Sequence, residues 1–217
     1  MITYRINNDG ATPGPRTVRV QKTSAFDPYS YNIDAGVKLI ADLLQRAKSR
    51  GEVLSVEDAA AIAGNGLYES NLKPFLYQGQ SISDTEPKYR PTGGFGLFQW
   101  DDRRALLEKM KNFMDYNTQL DYFDQENRTT EKKNYQAVLN AMGLDAKTDT
   151  FAKKWERAGK LELPKRRSLA KAAYDAYQKS QQQNQPAMKN TVPDRSLWEQ
   201  IQDAAINSMS LPEFWNR

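Results

Sequence analysis

The chain of 217 residues carries a net charge of +4, with 39% hydrophobic and 27% charged residues, the make-up of an ordinary globular protein with one good-sized core. It contains neither cysteine nor histidine, which excludes disulfides, Ser-His-Asp and Cys-His nucleophilic catalysis, and zinc sites built on those ligands. These absences favour mechanisms run by carboxylates alone, of which glycoside cleavage is the main example.

The mean hydropathy is -0.81 and the pI is near 9.1. No run approaches the length of a membrane span, and the opening MITYRINNDG lacks the apolar core of a signal peptide. The mild basic excess suits an anionic polymer. It is concentrated between Lys153 and Lys171, where eight basic residues (Lys153, Lys154, Arg157, Lys160, Lys165, Arg166, Arg167, Lys171) face only Glu156 and Glu162. A solvated helix face is the expected meaning, ahead of a dedicated binding surface. No recognition motif accompanies the charge, so nucleic acid is not an expected partner, and neither a metal nor a cofactor is expected.

Residues 1–30 hold Gly10, Pro13, Gly14, Pro15 and Pro28 and one short alternating run at Thr17, Val18, Arg19 and Val20. They read as an extended arm with one short edge strand, preferably laid along a partner. Residues 31–180 read as the main domain. Its first helix spans Asp34 to Arg50, with Ala35, Val37, Ile40, Leu43, Leu44 and Ala47 on one face, Asp34 as N-cap and Gly51 as terminator. The next helix begins at an imperfect capping box, Ser55 and Asp58, and continues through Ala59, Ala60, Ile62, Ala63 and Leu67 to the chain-breaking Asn71-Leu72-Lys73-Pro74. Glu69 falls near its C-terminal end. There a carboxylate meets low dielectric and the negative end of the helix dipole, both of which disfavour its charge, and that is the setting a general acid needs.

The stretch 75–92 has little periodicity, and a loop of that length in a compact domain is usually functional. It is expected beside Glu69, and it holds Asp84 and Glu86, whose simplest reading is surface solvation. The segment Gly93 to Arg104, GGFGLFQWDDRR, combines Gly93, Gly94 and Gly96 with Phe95, Phe98 and Trp100 and one polar Gln99. Asp101 or Asp102 is expected to cap the helix that follows. Further helices are expected at Thr118 to Glu126, Glu131 to Met142, Asp149 to Ala158 and Pro164 to Ser180, with Leu120, Phe123, Tyr135, Val138, Phe151, Trp155, Leu169, Ala173 and Tyr177 in their core. Residues 181–193 read as a Gln/Pro-rich linker. Residues 194–217 read as an amphipathic helix with Leu197, Trp198 and Ile201, which needs a surface to bury its face.

Tyr68 to Pro74, YESNLKP, then a loop, then GGFGLFQW together resemble the phage tail lysozyme family, and more loosely the lysozyme and lytic transglycosylase superfamily. There a Glu-Ser pair, a variable loop and a Gly-rich hairpin ending in Gln recur in that order. The resemblance extends from about Asp34 to about Gln178. Its later parts are Arg103, Arg104 and Leu107, then Gln119, Leu120, Tyr122 and Phe123, then Phe151, Trp155, Glu156 and Arg157, and the Arg166-Arg167 pair.

The resemblance implies a mainly α (α+β) fold: a lysozyme-like helical domain with a small Gly-rich β-hairpin, flanked by the N-terminal arm and the C-terminal helix. It implies that Glu69 is the catalytic acid of a peptidoglycan-cleaving muramidase, with Gln99 and its neighbours Tyr68, Ser70, Phe98 and Trp100 lining the sugar-binding cleft. Plain core packing is an equal reading for Tyr68 and Trp100, and capping of the following loop for Ser70. The candidates for a second carboxylate are Asp84, Glu86 and Asp101. Lytic transglycosylation at the same site stays open beside hydrolysis. The implied setting is a phage tail, from which the domain acts on the host cell wall or periplasm during entry. The arm and C-terminal helix would hold it to other virion proteins, and the rival reading is a non-catalytic structural adaptor of the tail.

Overall fold

The burial pattern of one helix, α2 (Val56–Ser70), explains the arrangement of the rest. Asp58 to Leu67 is buried without a break, so the helix needs neighbours on every side. In the computed structural model, which describes residues 26–184, these neighbours are α1 (Ile33–Ser49), α6 (Leu144–Thr150) and α7 (Leu163–Asn184). Gly64 sets the closest approach: a Cβ there would meet the backbone nitrogen of Ala170 at 2.5 Å, so α2 and α7 touch backbone to backbone. The remaining helices are α3 (Arg104–Leu107), α4 (Tyr116–Arg128) and α5 (Lys132–Leu139). None of the helices among the described residues is long and apolar enough to cross a membrane.

Helix ends follow local chemistry, with some departures from the sequence reading. The Ser55–Asp58 capping box is complete in both directions. Helix α1 is capped by Asn32, whose side chain accepts from the Ala35 N–H at 3.1 Å, and Asp34 lies in the first turn instead. The cap expected from Asp101 or Asp102 is absent: α3 has only four residues, and Arg103 at its N-cap makes no side-chain capping bond. The helix expected from Asp149 to Ala158 begins earlier, as α6, and then widens into a π-helical turn at Phe151–Trp155. Helix α7 continues past Ser180 to Asn184, into the first residues read as linker. Most of the N-terminal arm, the rest of the linker and the C-terminal helix lie outside the described residues.

The expected Gly-rich hairpin is not shown as a strand ladder. Among the described residues the pairing there is two isolated antiparallel bridges, Tyr77 with Phe95 and Phe95 with Trp100. Phe95 and Trp100 exchange both backbone hydrogen bonds at 3.0 Å, and the four residues between them form a closed loop. Left-handed backbone at Gly96 (φ 79°) and Gln99 (φ 48°) turns the chain before a ladder can extend. The core beneath this loop is aromatic. Phe98 packs 5.0 Å from Phe123 and 5.5 Å from Trp155, and Phe151 stacks on Trp155 at 4.7 Å between centroids.

Candidate active site

Glu69 occupies the last turn of α2, and the chain then reverses through Asn71 and Leu72, both in left-handed conformations (φ 55° and 57°). Asn71 suits this αL position, and its side-chain oxygen accepts the Asn32 N–H at 2.7 Å, which pins the turn. Ser70 is wholly buried. Its hydroxyl donates to the Leu97 carbonyl at 2.8 Å, stapling the end of α2 to the Gly-rich loop and so fixing Glu69 relative to Gln99.

Between them lies a cleft of about 410 Å³, lined by Tyr68, Glu69, Gln78, Gln99 and Asp101 and by the segment from Glu156 to Lys160. That volume is within the range of small-ligand sites. Two cleft-lining residues, Gln99 and Arg157 (φ 57°), hold uncommon left-handed backbone, a kind of strain that concentrates at functional sites. The π-helical turn just before Glu156 is another such feature.

Glu69 is not the isolated helix-end carboxylate that the sequence suggests. Its partner is Arg166, a fully buried guanidinium that donates to Glu69 Oε1 from the first turn of α7. The same guanidinium donates to Glu156 Oε2 at 2.6 Å, Asn65 Oδ1 at 2.8 Å and the Leu161 carbonyl at 2.7 Å, with the Lys160 carbonyl at 3.5 Å. All its N–H groups are therefore engaged. The ring of Tyr68 lies 4.4 Å from its central carbon. The Glu69 side chain is 21% exposed and that of Glu156 is 3% exposed, so the pair grades from the cleft into the core. Burial pushes the Glu156 carboxyl up to about 8; Arg166 opposes the rise and the charge of Glu69 adds to it. Glu156 Oε1 is buried and makes no hydrogen bond.

The other candidate residues separate clearly. Gln99 spends its amide donors on the carbonyls of Leu76 (2.9 Å) and Gly96 (3.1 Å), which orients its side chain at the cleft edge. Tyr68 lines the cleft and stacks on Arg166. Phe98 borders the cleft floor but is 2% exposed. Trp100 is 1% exposed, donates its indole N–H to Glu126 at 2.8 Å and does not line the cleft, so it has no free face for a sugar ring. Asp101 lines the cleft. Asp84 and Glu86 do not; Asp84 accepts from Lys88 at 3.0 Å and from Gln80 at 3.3 Å, and these bonds hold its carboxyl below the usual carboxylate range.

The basic run from Lys153 to Lys171 is not one solvated face. Lys153, Lys160 and Lys171 are exposed, Arg157 and Lys160 border the cleft, and Arg166 is the buried centre of the carboxylate cluster. Arg166 and Glu156, named from the sequence only as later parts of the resemblance, were given no role at the site. The signal was present: Arg166 shares the apolar stripe of Leu169, Ala170 and Ala173, and an arginine in such a register must have buried partners.

A second groove, of about 530 Å³, runs between the end of α1, α4 and α5. Its carboxylates are committed: Asp124 to Arg46 and Arg50 at 3.1 and 2.9 Å, and Glu52 to Arg50 at 2.9 Å. Among the described residues no group of three or more carboxylates is placed to hold a metal ion. A protein-family model described as phage tail lysozyme matches residues 41–177, which include α2, the Gly-rich loop and the cluster around Arg166. No match was found among curated proteins.

Proposed function

Because the chain belongs to the phage tail lysozyme family, a lysozyme-like group acting on peptidoglycan, we propose that it is a virion-associated muramidase in which Glu69 is the general acid. The observation that carries this reading is the position of Glu69: a carboxylate in the last turn of a buried helix, on the wall of a cleft, held by one buried arginine and flanked by Gln99 and Tyr68. Placed there, the group can protonate a glycosidic oxygen as the bond to the sugar breaks when it carries a proton, against the preference of the Arg166 ion pair for its charged form. The side-chain oxygen of Gln99, at the cleft edge, offers a hydrogen bond to sugar hydroxyl or acetamido groups.

The oxocarbenium-like centre that forms is met by water or by the sugar's own 6-hydroxyl. Asp101 supports the first route, since it shares the cleft with Glu69. It is therefore preferred to Asp84 and Glu86 as the second carboxylate. In this reading the virion carries the domain to the wall during entry, with residues 1–30 and 194–217 docking on other tail proteins.

The test is mass spectrometry of soluble products from purified peptidoglycan. Reducing muramic ends would establish hydrolysis, and anhydro-muramic ends would establish transglycosylation. Absence of any fragments from a folded protein on competent substrate would overturn the enzymatic reading in favour of a tail adaptor.

A further inference from the structure

The Arg166 cluster contains one negative charge more than it can balance. Two carboxylates, Glu69 and Glu156, share one guanidinium whose N–H groups are all engaged, and Asn65 and two backbone carbonyls supply only neutral partners. The Glu156 side chain is almost completely buried, and one of its oxygens has no hydrogen-bond donor. Two ionised carboxylates cannot be accommodated there as cheaply as one, because burial charges the full desolvation cost to the unbalanced anion. A single bound proton restores neutrality. This is the arrangement by which closely placed carboxylates take up protons in two separate steps that belong to the pair.

We propose that Glu156 is a positioning residue for the reaction at Glu69: sharing Arg166 with Glu69, it keeps one proton in the cluster, and Glu69 acts as the acid when that proton is on it. This rests on the reading of Glu69 as the general acid. In the cycle, Glu69 in its acid form gives the proton to the glycosidic oxygen. The C–O bond breaks with its electron pair going to the leaving oxygen, and Glu69 is left as a carboxylate against Arg166. Burial holds the cluster's proton on Glu156 up to about 8.

The other charged or titratable groups that face the cluster are few. Tyr68 stacks on Arg166, and Arg103 lowers the Glu156 value from the α3 side. Asp101, Arg157 and Lys160 line the cleft, and Glu162 pairs with Lys160 and Lys165 at its rim.

The experiment follows the glutamate carboxyl carbons by NMR across pH 4 to 10 in the full chain, uniformly labelled with 13C-glutamate, as wild type, Glu156→Gln and Glu69→Gln. In the wild type one carboxyl should titrate on the alkaline side of neutrality. It should vanish in Glu156→Gln and move to lower pH by about one unit or more in Glu69→Gln, where the repelling neighbour is gone. A wild type with no such carboxyl, or one unmoved by Glu69→Gln, overturns the proposal whether or not the protein is active. Should Glu156→Gln fail to fold, the Glu69→Gln shift decides the matter.

On active protein, the alkaline limb of kcat/KM should retreat by about one pH unit or more in Glu156→Gln and be largely restored in Glu156→Asp. A lowered Tm with an unmoved limb would reduce Glu156 to a structural role and contradict the proposal. An inactive wild type with the titration intact would instead defeat the reading of Glu69 as an acid, while leaving the shared proton in place.

Discussion

The two ends of α2 both bury charge, and they do so in opposite ways. At the N-terminal end Asp58 accepts from the Ser55 backbone (2.9 Å) and hydroxyl (2.6 Å), and its other oxygen takes Lys147 Nζ at 2.6 Å; Lys147 also donates to the Leu139 carbonyl at 2.8 Å. That site holds one anion and one cation, both nearly buried. At the C-terminal end one cation meets two carboxylates, one oxygen has no partner, and one carboxylate looks into a cleft. A balanced site fixes the position of a helix; an unbalanced one on a cleft wall is the arrangement from which the shared proton is proposed. The same helix is anchored at one end and, in the proposed reading, carries the acid at the other.

That contrast can be broken by substitution. The largest expected effect is Glu69→Gln, which should lower turnover on peptidoglycan by roughly 10²- to 10⁴-fold, the usual weight of a general acid, with little change in Tm. Retained turnover in dye-release assays would remove Glu69 from the mechanism. Next comes Lys147→Met, which leaves Asp58 buried and unpaired and should cost about 3–5 kcal/mol of unfolding free energy in urea titrations, with kcat/KM of the folded protein unchanged. A stability loss below 1 kcal/mol would show that Asp58 finds water or another partner.

A smaller effect is expected in the pH dependence of stability. Glu156 keeps its proton in the folded state up to about 8, against an ordinary value of 4.5. Between those limits the native state binds more protons than the unfolded one, so this contribution is complete below the lower value and is lost as pH rises through the upper. Tm should therefore decline from pH 5 to pH 8 more steeply in the wild type than in Glu156→Gln; parallel slopes would contradict the assignment. Least of all, Asp84→Asn and Glu86→Gln should leave turnover unchanged, since neither lines the cleft. A large loss at either would place the second carboxylate in the 75–92 loop after all.

How much of this was legible in the sequence depended on the range of the interactions. The capping box at Ser55 and Asp58, the apolar register from Ala59 to Leu67 and the stop at Asn71 are local, and each could be read directly. So could the location of Glu69 at the helix end. The cluster around it could not, because Arg166 lies 97 residues from Glu69 and their pairing becomes evident only when α7 is laid against α2 at Gly64. Counting Arg166 with its charged neighbours hid it, whereas placing it on the stripe with Leu169 and Ala173 would have singled it out. The Gly-rich segment misled for a different reason. Three glycines among aromatic residues suit a hairpin and a tight loop equally, and the choice here was made by left-handed backbone at Gly96 and Gln99. Trp100 illustrates a similar ambiguity: its buried N–H is satisfied by Glu126 on α4, a contact that no local pattern announces.

The most direct test of the contrast sets Glu69→Gln beside Lys147→Met in one assay, with release of soluble fragments from labelled peptidoglycan measured per folded molecule and urea stability measured on the same samples. The account predicts a stable, inactive Glu69→Gln and an unstable, active Lys147→Met. A Glu69→Gln protein that still cleaves, or a folded Lys147→Met protein that does not, would contradict it.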